Sequence, residues 1–332
     1  MRIAVVGAGA IGGTIAAVLD RAGHDVAVTA RGAHLTAIQN HGLKFSGAWG
    51  EHVAQVTASE TLASTPELAF VCTKAQDARA ALTANLDRLT AVPVAIVQNG
   101  LAGLRQAEEI LPQSACIGGL ALYAANFQAP GQITVTSPGE TYFGAGTGHP
   151  PATARMVADL LGEAIPASAV PNFTGCQWTK LIVNQINAMP AITGMSVQDT
   201  IADPRLRHLI TAGMREAVRT GHRVGIRYGR IQGLSDLGLR MFAAAPVWLG
   251  QQLPLLMRRK MGSTPNLGST LQSIRRGQQS EIDYLNGAVV TAAAEVGIPV
   301  PINAAMVALV HEVEEAGAFL SAEQVLERVA SA

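Results

Sequence analysis

Apolar and polar positions follow two different rhythms along this chain, and the change falls near its middle. Through the first half, short apolar runs recur at Arg2–Val6, Asp25–Thr29, Leu68–Cys72, Val94–Val97 and Ile117–Ala121. Runs of that length, bounded by glycine or turn residues, predict strands of a buried sheet. Between them, Ile11–Ala22, Ala75–Leu86 and Gly103–Leu111 have helical period, and Pro150-Pro151 opens another helix over Ala152–Gly162. The segments around Ile133–Thr136 and Thr141–Phe143 are rich in β-formers or bounded by glycine. Alternation of this kind predicts an α/β domain.

From Cys176 onward the strand signals stop. Trp178–Thr193, Pro204–Val224, Thr270–Ile274, Glu281–Val296, Ala304–Glu315 and Ala322–Val329 all read as helices, so the second half is expected to be all-helical. The connection Pro166–Gly175 holds two prolines and a glycine. It divides a first domain over residues 1–168 from a second over 174–332. Tyr228–Gly262 is glycine-punctuated and apolar and includes the basic run Arg258-Arg259-Lys260. It reads as a surface excursion, with a lid or a subunit contact as the alternative.

The first run leads directly into chemistry. Gly7-Ala8-Gly9-Ala10-Ile11-Gly12 follows the first strand and opens the first helix. In a dinucleotide-binding βαβ unit, the first glycine allows the turn and the second lets the backbone approach a pyrophosphate. The third lets helix and strand pack closely, and the anion rests on N–H groups at the helix N-terminus. The second strand ends in Thr29-Ala30-Arg31, with no acid to bind a ribose 2′-hydroxyl. Arg31 in that place favours a 2′-phosphate, hence NADP(H).

Composition narrows the field. The 332 residues are 48% hydrophobic and 14% charged with formal net charge zero, a balance that calls for neither nucleic acid nor an anionic membrane. Cys72, Cys116 and Cys176 show no metal-ligand spacing and read as buried thiols of a cytoplasmic protein. Met241–Met257 is the longest apolar segment after the first strand, and prolines, a glycine and glutamines interrupt it too often for a membrane span. No metal is expected, and a homodimer is.

Lys180, Asn184 and Asn187 recur at i, i+4 and i+7 within an apolar helix. They share one face, and buried polar groups there need partners. A lysine beside a ketone can stabilise the developing oxyanion and deliver a proton.

The Trp178-x-Lys180-Leu181-x-x-Asn184 segment, with the N-terminal glycine motif, resembles the ketopantoate reductase family (2-dehydropantoate 2-reductases). Thr73-Lys74-Ala75, Gln98-Asn99-Gly100, Asn266-Leu267-Gly268-Ser269 and Glu281-Ile282-Asp283-Tyr284-Leu285-Asn286-Gly287 follow the same pattern in order. The resemblance implies a Rossmann-type domain followed by an all-α domain like the C-terminal part of 6-phosphogluconate dehydrogenase. It implies NADPH-dependent reduction of a small 2-oxo acid, ketopantoate, to (R)-pantoate. Lys180 would be the proton donor, Asn99 would stand by the nicotinamide and substrate, and Glu281 by the nicotinamide end near the lysine. Asn184 would bind substrate, and Ser269 with Asn266 its carboxylate. Arg31 and Lys74 would hold the 2′-phosphate, and Ala125 would offer a backbone contact to the cofactor. Bland rivals exist: Asn99-Gly100 as a turn, Ser269 as a helix cap, Glu281 as a first-turn acid, and Lys74 as a surface residue.

Three features depart from the family pattern. A second asparagine expected four residues after Asn184 meets Ala188 instead, with Asn187 one residue early. A further asparagine expected later has no counterpart in Met195–Asp199, and residues 228–262 are long for the fold. All three fall where the distal part of a substrate binds. A paralogue acting on a bulkier 2-oxo acid is therefore the alternative within the class. A non-catalytic NADP-binding sensor is the alternative outside it.

Overall fold

The computed structural model describes residues 1–262 and 265–331; Ser263, Thr264 and Ala332 lie outside the described residues. The chain divides into two units, Met1–Phe173 and Thr174–Ala332.

The first unit opens with β1 (Arg2–Val6), α1 (Ala10–Arg21), β2 (Asp25–Thr29) and α2 (Gly32–His41), followed by β3 (Leu43–Gly47), β4 (His52–Ala54), β5 (Thr57–Ser59) and β6 (Leu68–Val71). Next come α3 (Ala78–Ala84), α4 (Leu86–Leu89), β7 (Val94–Val97), α5 (Gly103–Ile110) and β8 (Cys116–Ala121). It closes with β9 (Ala124–Ala129), β10 (Gln132–Ser137), β11 (Thr141–Gly144), α6 (Ala152–Gly162) and β12 (Ala167–Ala169). The main sheet has the order β12-β11-β8-β7-β6-β1-β2-β5, and a second, smaller one the order β4-β3-β10-β9.

Period-two alternation in the central strands builds two cores. Ile3, Val5, Leu68, Phe70, Ala95 and Val97 face one way, into a cluster that includes Ile15 and Leu19 of α1. Ala4, Val6, Ala69, Val71, Val94 and Ile96 face the other way, toward Leu82, Ala107 and Leu111. With apolar clusters on both faces, β6 and β7 have no polar position to spare, which is why they read as unbroken apolar runs. Of the small sheet, only β10, around Ile133–Thr136, was legible in the sequence. Its strands are short and partly polar, and β3 pairs with β10 across a long stretch of chain. The helix expected over Ala75–Leu86 is instead a 3₁₀ turn, Ala75–Asp77, followed by α3 and α4.

The second unit is helical: α7 (Phe173–Asn184), α8 (Ala188–Thr193), α9 (Val197–Ala202), α10 (Pro204–Arg223), α11 (Asp236–Ala244), α12 (Val247–Gly250) and α13 (Gln252–Lys260). After these come α14 (Gly268–Arg275), α15 (Asn286–Glu295), α16 (Pro301–Ala316) and α17 (Ala322–Ser331). The region read as a surface excursion thus contains three short helices, α11 to α13. Asp203 caps α10 by accepting from the Arg205 and Leu206 amides, and Pro204 supplies its first turn. The buried Glu216 carboxylate of α10 accepts from the Ile302 and Asn303 amides at the start of α16, at 3.0 and 2.8 Å. There it satisfies donors that the helix leaves open. Among the described residues no helix is long and apolar enough to cross a membrane.

The helix α1 packs tightly at Gly12, where an added methyl would stand 2.0 Å from the Gly7 carbonyl oxygen and 2.8 Å from Cys72 Cβ. Backbone cannot yield as a flexible side chain does, so Gly12→Ala should lower unfolding free energy by about 1–3 kcal/mol in chemical denaturation. An unchanged midpoint would mean that α1 can move away from β1 freely.

Candidate active site

In the first unit, all the candidate residues but Ala125 fall at one end of the central strands of the main sheet. The last rungs align Thr29 with Val6, Val6 with Val71, and Val71 with Ile96. The loops leaving these four parallel strands therefore emerge side by side. Arg31 follows β2, the glycine turn follows β1, Lys74 follows β6 and Asn99 follows β7. Strand order reverses between β1 and β6, and in open α/β sheets ligands bind at such a switch point. Gln98 ties two of these loops together by donating from Nε2 to the Thr73 carbonyl at 2.8 Å.

Gly7 has φ +95°, a conformation that suits glycine. Its amide donates to Thr29 Oγ1, and the Ala8 amide donates to the Thr29 carbonyl, both at 2.9 Å. Gly9 is the N-cap of α1 and no side chain caps the helix, so its first amides are available to an anion. A methyl added at Gly9 would meet nothing within 4 Å. An uncapped helix start facing open space fits a pyrophosphate. Ala10 and Ile11 are half-buried beside it, and exposed Arg31 is the N-cap of α2. Lys74 and Asn99 are half-buried. Ala125 lies on the small sheet opposite Val135 in β10, packed against the core that α1 shares. Among the described residues no cluster of His, Cys, Asp and Glu is arranged to hold a metal ion.

In the second unit, α7 carries Lys180 and the buried Asn184. Burial pulls the half-buried Lys180 ammonium down to about 8. Desolvation is the cause of that lowering. Glu281 stands at the head of a 3₁₀ turn, Ile282–Tyr284. That segment is held to α16 by the Ser280 amide on Glu314 and by Asp283 on His311.

The helix expected to run unbroken over Trp178–Thr193 starts earlier and changes pitch. Gln185–Asn187 forms a 3₁₀ turn between α7 and α8. Pro190 explains the change: it has no N–H for the Ile186 carbonyl, and its ring crowds that oxygen. Three residues of 3₁₀ helix turn through about 360° and rise about 6 Å, whereas four residues of α-helix turn about 400° and rise about 6 Å. Asn187 therefore stands within roughly 40° of where an α-helical residue four after Asn184 would be. The tightened turn thus reduces the displacement of about 100° expected from Ala188 to about 40°.

Asn187 also meets the Asn266–Ser269 turn: its Oδ1 lies 2.8 Å from the position a Gly268 Cβ would take. Asn266 Oδ1 accepts from the Gly268 amide at 2.9 Å, and the Asn266 amide donates to Gln198 Oε1 at 2.9 Å. The Val197 amide donates to the Asn266 carbonyl at 2.7 Å. Gln198 thus supplies an amide in the stretch where no asparagine was found. Ser269 is exposed in the first turn of α14, and the cap position belongs to Leu267.

Residues 3–148 match the family model described as ketopantoate reductase PanE/ApbA, and residues 172–314 match its C-terminal counterpart. A 2-dehydropantoate 2-reductase of Archaeoglobus fulgidus is 30% identical over 94% of this chain and 98% of its own length. A crystal structure of a PanE/ApbA family ketopantoate reductase from Ralstonia eutropha superposes with TM-score 0.80 at 26% identity, covering 95% of this chain and 99% of that one. D-mandelate dehydrogenase, solved with NADH and anilino(oxo)acetate, superposes with TM-score 0.79 at 20% identity over 95% of this chain and 99% of its own.

Replacing Pro190 by alanine should restore α-helical pitch and swing Asn187 by about 60° off the Asn184 stripe. The expected result is a KM for the 2-oxo acid raised about tenfold, the scale of one lost hydrogen bond, with nucleotide affinity kept. An unchanged KM would remove Asn187 from substrate binding.

Proposed function

From its membership of the ketopantoate reductase family, to which this chain belongs, we propose that it reduces 2-dehydropantoate to (R)-pantoate with NADPH, a step toward pantothenate. The observation that carries this reading is the half-buried Lys180, lowered to about 8, with Asn184 and Asn187 carried on from its helix. When bound, the nicotinamide cofactor supplies a hydride to C2 of the 2-oxo acid.

Lys180 gives a proton from Nζ to the keto oxygen as negative charge grows there, leaving a neutral amine that regains a proton from solvent. Asn184 and Asn187 orient the keto and hydroxyl oxygens without altering the charge balance. Asn266 and Ser269 receive the substrate carboxylate. Asn99 stands near the nicotinamide and substrate, and Glu281 by the nicotinamide end. Gly7, Ala8, Gly9, Ala10, Ile11 and Gly12 cradle the pyrophosphate, Ala125 offers a backbone contact, and Arg31 with Lys74 binds the 2′-phosphate. In the same reading the chain is a cytoplasmic homodimer. The free thiols Cys72, Cys116 and Cys176 support the compartment. The exposed Leu237, Met241, Trp248, Leu249 and Leu256 of the excursion support a subunit contact.

Turnover of ketopantoate against a panel of 2-oxo acids tests the assignment. Ketopantoate should be strongly preferred. Parity with pyruvate would favour a paralogue, and nucleotide binding without turnover of any acid would favour a sensor.

Reduction needs Lys180 charged, so its kcat/KM should hold below about pH 8 and fall as pH rises through that value. Oxidation of pantoate needs the neutral amine and should show the opposite limb. Lys180→Ala should lower kcat by about 10²-fold or more with NADPH binding kept; an unchanged rate would exclude the lysine. Arg31→Ala should weaken NADPH far more than NADH, and equal weakening of both would contradict the phosphate role.

A further inference from the structure

His34, on the first turns of α2, bridges two parts of the first unit that are distant in sequence. Its Nε2 lies 2.7 Å from the Ala8 carbonyl oxygen inside the glycine turn. The Gly131 amide, in the turn between β9 and β10, donates to its Nδ1 at 2.9 Å. A nitrogen that accepts from an N–H carries no proton of its own. The ring is therefore the neutral tautomer with hydrogen on Nε2, which donates to Ala8. Burial, the larger influence, holds the imidazole below its ordinary pKa in the same sense. Phe127 of β9 stands edge-on to the ring, with centroids 4.8 Å apart and planes at 69°, and limits its rotation.

The consequence lies one atom further along the backbone. The Ala8 carbonyl and the Gly9 N–H belong to one planar trans peptide and point in opposite directions. Fixing the carbonyl toward His34 fixes the Gly9 N–H away from it, at the open N-terminus of α1. The Ala8 amide is held on the other side by the Thr29 carbonyl, so both flanks of this peptide are anchored. We propose that His34 is a positioning residue for the cofactor: it orients the Ala8–Gly9 peptide so that the Gly9 N–H faces the dinucleotide pyrophosphate. Glycine at position 9 makes such an anchor valuable, because a peptide beside glycine can reorient with little steric hindrance. The inference rests on the dinucleotide reading above. It concerns the pyrophosphate, common to NADH and NADPH, and is therefore separable from the role of Arg31.

Three variants separate positioning from a structural role. A glutamine amide can place its nitrogen near His34 Nε2 and keep the donor to Ala8. An asparagine side chain reproduces only the Nδ1 end, where the Gly131 amide is accepted. Dissociation constants for NADPH and NADH are read by fluorescence titration of the full chain, with circular dichroism confirming the fold of each variant. His34→Ala and His34→Asn should weaken both nucleotides by about tenfold and equally, the scale of one hydrogen bond. His34→Gln should stay within about threefold of the parent, and kcat at saturating NADPH should change little in all three. Parent-like affinity in His34→Asn, or a loss in His34→Gln equal to that in His34→Ala, would overturn the role. A parent chain that bound neither nucleotide would overturn the dinucleotide reading itself, and this role with it.

Discussion

An ammonium group withdrawn from water is the constraint around which the proposed chemistry turns. Desolvation disfavours the charged form of Lys180 and brings it to about 8, where the group can surrender a proton near neutral pH. A lysine left fully in water would hold its proton too tightly to act as an acid at that pH. Asn184, one turn further along the same helix, is a buried neutral amide that adds no charge of its own.

The first unit answers the complementary problem of holding a large anion. It does so with backbone: an uncapped helix start, a glycine turn tied down by Thr29 and His34, and loops set side by side by the register of four parallel strands. Arg31 and Lys74 stand in the loops on either side of that turn, where side-chain charge can add selectivity to what the amides bind in common.

Much of this was legible in the sequence, for physical reasons that also mark where legibility ended. β6 and β7 are buried on both faces and apolar throughout, as is β1 after the exposed Arg2, so their runs stand out. The glycine turn is legible because Gly7 and Gly12 have no alternatives: one needs a positive φ and the other has no room for a methyl. The small sheet is held by pairings between distant segments such as β3 and β10, which leave no periodic trace. The change of pitch at Gln185–Asn187 depends on Pro190, a residue that periodicity reads as an ordinary break rather than as a device that moves Asn187. Gln198 and His34 were missed because each acts on backbone far away in sequence, Gln198 on Asn266 and His34 on Ala8 and Gly131.

The most direct measurement follows the hydrogen itself. NADPH carrying deuterium at the transferable C4 position is mixed with 2-dehydropantoate and the full chain, and the product is read by NMR and mass spectrometry. The account predicts pantoate with one deuterium at C2 and none elsewhere. Bound nucleotide with no labelled pantoate would contradict it.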